Sequence, residues 1–172
     1  MLKTKMKSPK LESLIKKLKF NFVHSKINST NFPDDGRLLT DFKVFHFNRF
    51  ISSEDAIAEM KKEGFMPANI YEMLLWANQK NWDGKEFVVA LGSIWQNPNG
   101  YRCVPCLGGW RDGRGLSLDW YGRDWGGGCR FLAVRKSLTP GPLDSPSTAS
   151  QCKDKEHLEA MEITRKIKKI IK

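Results

Sequence analysis

Residues 101–135 read YRCVPCLGGW RDGRGLSLDW YGRDWGGGCR FLAVR, and two pieces of this stretch decide the fold class. In the first, Leu116, Leu118 and Trp120 alternate with Ser117, Asp119 and Tyr121. A period of two puts the apolar set on one face and the polar set on the other, which predicts a half-buried strand with Ser117, Asp119 and Tyr121 facing out. In the second, Phe131 to Arg135 is a short apolar run that predicts a closing strand. Upstream, Glu86 to Trp95 is a continuous apolar run with β-branched residues, which predicts one buried central strand. Gln96 to Gly100 is a turn by composition.

Helical signals come earlier. Phe42, Val44, Phe45, Phe47 and Phe50 predict an aromatic strand. Ser52 then offers an N-cap ahead of the first-turn acids Glu54 and Asp55, and Gly64 ends that helix. Pro67 is expected to open a second helix, with Ile70, Met73, Leu74 and Ala77 on one face. Nearer the start, Ser8-Pro9 followed by Leu11, Leu14, Ile15 and Leu18 predicts an amphipathic helix capped by Ser8, and Asn28 to Arg37 predicts a polar turn. Strand, two helices, then several strands defines an α+β fold with its helices early and its sheet mainly antiparallel. The expected organisation is a basic helical segment (1–38), one domain (39–136) with its core from about residue 40, a Pro/Ser-rich linker (137–152) and a basic amphipathic helix (153–172).

The formal net charge of +10 is unevenly spread. Lys3, Lys5, Lys7, Lys10, Lys16, Lys17 and Lys19 crowd one end, and Lys166, Lys168, Lys169 and Lys172 the other. Such tails read as solvated helix faces or as contacts to nucleic acid or anionic lipid. No run reaches the roughly 20 apolar residues of a bilayer-spanning helix, and Lys16, Lys17 and Lys19 interrupt any signal-like stretch. The expected location is the cytoplasm, or a virion made there. Cys103, Cys106, Cys129 and Cys152 form no disulfide framework, and Cys103-x-x-Cys106 lacks the second pair that zinc requires. No metal and no cofactor is expected.

Residues 101–135 also stand apart in composition. The chain favours Lys, yet here every cation is Arg: Arg102, Arg111, Arg114, Arg123, Arg130 and Arg135. Most of the chain's 14 glycines lie here as well, whereas Asn, Lys, Glu and Ile are missing. Arg, Trp and Tyr dominate binding hot spots and Gly permits close approach, so one account is a recognition surface. The plainer account is a glycine-rich β region, with Trp110, Trp120 and Trp125 packed as core. Codon history offers a third account. Lys and Asn have adenine-rich codons, and random change at adenines replaces them with Gly, Asp, Ser, Arg, Cys and Tyr.

On these residues the chain resembles the variable proteins of diversity-generating retroelements. The likeness spans roughly Asp41 to Lys136. It rests on Ile51 to Gly64, on Pro67-Ala68 leading to Leu75-Trp76, on Val89 to Ser93, and on Cys129-Arg-Phe-Leu-Ala-Val-Arg135 as the invariant close of a variable region. The resemblance implies a C-type-lectin-like fold, related to formylglycine-generating enzymes, which holds diversified residues in a solvent-facing ligand site. Carried onto this chain, the diversified positions are Cys106, Gly108, Gly109, Arg111, Gly113, Ser117, Asp119, Tyr121, Arg123, Gly126, Gly128 and Cys129. Trp110, Leu116, Leu118, Trp120, Trp125, Arg130 and Phe131 would be scaffold. The chain departs from the pattern in carrying a polar tail and helix beyond the closing strand.

The implied function is non-enzymatic recognition of an unidentified protein or other macromolecule. Two enzyme-like or metal readings compete: Cys103 and Cys106 as an imitation of a copper-binding cysteine pair, and Asp112, Asp119 and Asp124 as calcium ligands. Nucleic-acid binding through the basic tails, the arginines and exposed aromatics is the stronger alternative.

Overall fold

The computed structural model describes residues 9–136. Ser8, the linker at 137–152 and the helix at 153–172 lie outside the described residues. The described part is mixed α+β: three helices accompany one mainly antiparallel eight-stranded sheet. No helix among the described residues is long and apolar enough to cross a membrane.

The elements follow in the order α1 (Leu11–Leu18), β1 (Phe22–Val23), β2 (Asp41–Phe45), α2 (Ser53–Lys62), β3 (Met66–Pro67), α3 (Ile70–Gln79), β4 (Val88–Val89), β5 (Trp95–Gln96), β6 (Arg102–Trp110), β7 (Gly113–Trp120) and β8 (Arg130–Arg135). The sheet order is β1-β7-β6-β4-β8-β2, with β3 added to β8 and β5 to β6. Only β1 with β7 and β4 with β8 run parallel. A tight hairpin joins β6 to β7: Trp110 pairs with Gly113, so Arg111 and Asp112 form the turn.

Alternate residues of the central strands feed two cores, one on each face. Val88, Leu107, Leu116, Leu132 and Val134 join α1 and α3 on the first face. Val89, Val104, Cys106, Phe131 and Ala133 join Ala56 and Met60 of α2, with Tyr121 and Trp125, on the second. A sheet covered on both sides is why β8 is apolar at four successive buried positions, Phe131 to Val134.

Several expectations hold. Ser52 caps α2 by accepting a hydrogen bond from the Asp55 N–H at 3.1 Å, and Gly64 follows the helix with φ +80°. Others need correction. Pro67 belongs to β3, and α3 opens at Asn69, whose side chain forms a reciprocal capping box with Glu72. Lys10, not Ser8, occupies the N-cap of α1, with no side-chain cap bond. Residues 86–95 do not form one strand. After Val89 the chain turns to meet the start of α3, where Gly92 N–H donates to the Ala68 carbonyl and Ser93 Oγ accepts from Ile70 N–H. A Cβ at Gly92 would stand 2.5 Å from two carbonyl oxygens, so glycine is what allows this approach.

The core also begins earlier than the sequence suggests. Leu11, Leu18, Ile27 and Phe32 are buried with α3 in the first core. They cover flanks of α3 that an amphipathic reading leaves to solvent, which is why Tyr71, Glu72 and Trp76 are buried beside Met73 and Leu74. Glu72 is fully buried and fully satisfied: its carboxylate accepts from Arg37 Nε and Nη2, Leu39 N–H and Asn69 N–H. Charge-assisted bonds of this kind fasten the 28–37 turn to the helix start.

Candidate binding site

The hairpin β6–β7 is the longest regular feature of the sheet, and its second face runs out from under α2. On β7 the residues of that face are Gly113, Gly115, Ser117 and Asp119, while Val104, Cys106, Gly108 and Trp110 stand beside them on β6. Where α2 and the 121–131 segment cover the face, Val104, Cys106 and Tyr121 are buried. Toward the hairpin turn and the β1 edge the Trp110 ring covers Gly108 and Gly115, while Trp110 itself, Phe22 and Ser117 retain exposure, as does Asp119 farther along β7 beside Arg123.

The expected positions therefore separate. Arg111 and Arg123 are exposed, and Ser117 and Asp119 line the open face. Arg123 pairs with Asp119 at 2.6 Å and its guanidinium lies 5.3 Å from the Trp125 ring centre. Gly126 and Gly128 have open space around them: a Cβ at Gly128 would meet nothing within 4 Å. Gly108 is tight only against side-chain atoms of Phe87 and Trp110, both at 3.0 Å.

Two positions are buried, and two exposed glycines have no room for a side chain. Cys106 lies in the second core, and burial, with Asp119 as the next cause, pushes its thiol up to about 12. Tyr121 is buried as well, its ring 4.4 Å beneath the Arg102 guanidinium, so the outward alternation expected of Ser117, Asp119 and Tyr121 ends at Asp119. A Cβ at Gly109 would stand 2.3 Å from the Gly84 carbonyl oxygen. Gly113 has φ +112° and no room beside Asn21 Oδ1. Cys129 is intermediate, and burial raises its thiol too.

Three tryptophans that look alike in sequence have different fates. Trp125 is fully buried; its Nε1 donates to Ser53 Oγ at 2.9 Å, and Ser53 Oγ donates to the Tyr121 carbonyl at 2.6 Å. Trp110 and Trp120, expected in the scaffold, are 46% and 50% exposed. Trp120 stands edge-on to exposed Tyr101 on the first face, with ring centres 5.9 Å apart. Trp110 lies across the cross-strand pair Gly108 and Gly115, where a Cβ at Gly115 would come within 2.8 Å of the indole ring. Phe22, also half exposed, reaches this region because β1 pairs with β7 at Gly115. No local signal marks Phe22, since its partner is more than 90 residues away.

Cys103 and Cys106 lie on opposite faces of β6, Cys103 opposite Trp120 and Cys106 opposite Ser117, so they cannot act as one paired ligand set. Among the described residues no cluster of three or more His, Cys, Asp or Glu is arranged to hold a metal. Comparison with protein-family models, curated proteins and solved structures finds no match.

Proposed function

We propose that this chain is a ligand-binding protein of C-type-lectin-like fold. It recognises a protein or other macromolecule through the open β6–β7 face and the adjoining loops, and retroelement-directed change diversifies that surface. The observation that carries the reading is the division among the glycine-rich positions. Arg111, Ser117, Asp119, Arg123, Gly126 and Gly128 stand at the surface with room for other side chains, over a core closed by Leu116, Trp125 and Phe131. A surface whose side chains lie outside the two cores can vary while the fold persists. The fold assignment draws support from two helices placed between the first strand of residues 39–136 and the hairpin, and from the closing strand pairing with that first strand.

The test is to sequence the DNA flanking the gene. The reading expects a near-copy of the segment encoding residues 101–135, differing at adenines and lying beside a reverse transcriptase. The mismatches should fall on the open positions and spare Gly109, Gly113, Leu116 and Trp125. Neither feature being present would overturn diversification.

Nucleic-acid binding has one observation in its favour: Lys10, Lys16, Lys17 and Lys19 are all exposed on and around α1. Its mark would be an affinity for single strands that falls steeply as salt rises.

A further inference from the structure

Between the hairpin turn and β1 lies a cavity of about 290 Å³, bounded by Asn21, Phe22, Trp110, Asp112, Gly113 and Ser117. Its construction is specific. The six-membered ring of Trp110 sits on bare backbone, because Gly108 and Gly115 beneath it have no Cβ. Phe87 meets the indole edge-on, with ring centres 6.5 Å apart and planes at 82°. One face of the indole is thus held against the sheet and the other is left open. Phe22 supplies a second half-exposed ring, and Asn21 is fixed by accepting the Arg114 N–H at 3.0 Å.

The charge in the cavity lining has one sign, although exposed Arg111 neighbours it in the hairpin turn. Asp112 is the sole acidic residue of its lining, and no Lys or Arg contributes to the wall. Asp112 also forms no ion pair among the described residues. An aromatic face attracts a cation within about 6 Å of its centre, and a carboxylate beside it strengthens that preference. The same carboxylate disfavours a phosphate or an acidic side chain.

We propose that this cavity receives one alkylammonium side chain, that of a lysine on a protein partner. The aliphatic stem would lie along Trp110 and Phe22, with the ammonium at Asp112. That the lysine belongs to a protein rests on the function proposed above; the chemistry of the cavity does not.

The experiment follows the indole N–H resonances of the full chain by two-dimensional NMR, with the Trp110 signal assigned from Trp110→Phe. N-acetyl-lysine methylamide is titrated against its uncharged analogue, N-acetyl-norleucine methylamide, and against adenosine monophosphate. The lysine probe is expected to shift Trp110 saturably, about tenfold more tightly than norleucine, and Asp112→Asn should remove most of that difference. Because Asp112 sits in an exposed turn, Asp112→Asn should leave the unfolding midpoint unchanged, which separates lost binding from lost folding. Equal binding of lysine and norleucine, or an unaffected Asp112→Asn, would overturn the proposal in favour of an apolar cleft. A Trp110 shift produced by adenosine monophosphate alone would overturn it in favour of base stacking. These probes use none of the diversified arginines, so failure here leaves the flanking-DNA test standing, and failure there leaves the probe result standing.

Discussion

Gly109 and Gly128 both fall at positions expected to vary, yet the structure gives them opposite tolerances. A methyl group at Gly109 would stand 2.3 Å from the Gly84 carbonyl oxygen, roughly an ångström inside the closest ordinary contact. The obstacle is backbone, and Gly84 itself has φ +91°, so the 84–85 turn cannot rotate away freely. Either β6 shifts or the turn does. Overpacking of this kind costs about 1–3 kcal/mol. We expect Gly109→Ala to lie in the upper half of that range, about 2–3 kcal/mol, lowering Tm by roughly 5–10 °C for a chain of this size. Gly128→Ala meets nothing within 4 Å and its φ is not in the left-handed region, so its effect should stay within about 0.5 kcal/mol. Paired urea titrations of the two variants and the parent, fitted with a common m-value, measure the difference directly. Equal midpoints for Gly109→Ala and Gly128→Ala would refute the close approach of the 84–85 turn to β6, and with it the division between closed and open positions.

Further outcomes follow from the same geometry. Arg37→Met should cost about 3 kcal/mol in urea unfolding, because it leaves the buried Glu72 carboxylate without its cation. Ser53→Ala should cost about 1–3 kcal/mol, since it strands the Trp125 N–H in the core; the check is whether Ser53→Thr is milder. Cys106, buried and with its thiol held at about 12, should resist iodoacetamide at pH 8 in the folded protein while Cys103 and Cys129 label slowly, as read by peptide mass mapping. Labelling of Cys106 at the rate of a free thiol would show that the second core opens readily.

The periodic parts of the chain were legible because local pattern determined them. Leu11, Leu14, Ile15 and Leu18 mark α1, Ser52 marks the start of α2, and Phe131 to Arg135 marks β8. The misread parts are those where a distant contact decides. Residues 86–95 look like one strand until Gly92 and Ser93 are drawn to the start of α3. β6 left no clear signature, because Pro105, Gly108 and Gly109 dilute its pattern and pairing on both sides of the strand makes up for weak propensity. Within the candidate site, Ser117 and Asp119 were readable from alternation. Trp110, Trp120 and Trp125 were not separable, since exposure depends on whether glycine backbone or the α2 core lies behind each ring. Phe22 was out of reach, because only the parallel pairing with β7 brings it there.

β8 takes its neighbours from three separate places: residues 41–45, 66–67 and 88–89. Synthesis must therefore pass Arg135 before the strand that joins them exists. Until then Phe45 has no partner across the sheet and Val88 and Val89 are paired on their β6 side alone, and such open edges invite association between nascent chains. Pairings of this sequence separation also close slowly. Production of the protein should accordingly be limited by time spent waiting for β8. Substitutions that slow translation or weaken Phe131 to Val134 should reduce the yield of folded chain more than equal losses of stability placed in α1.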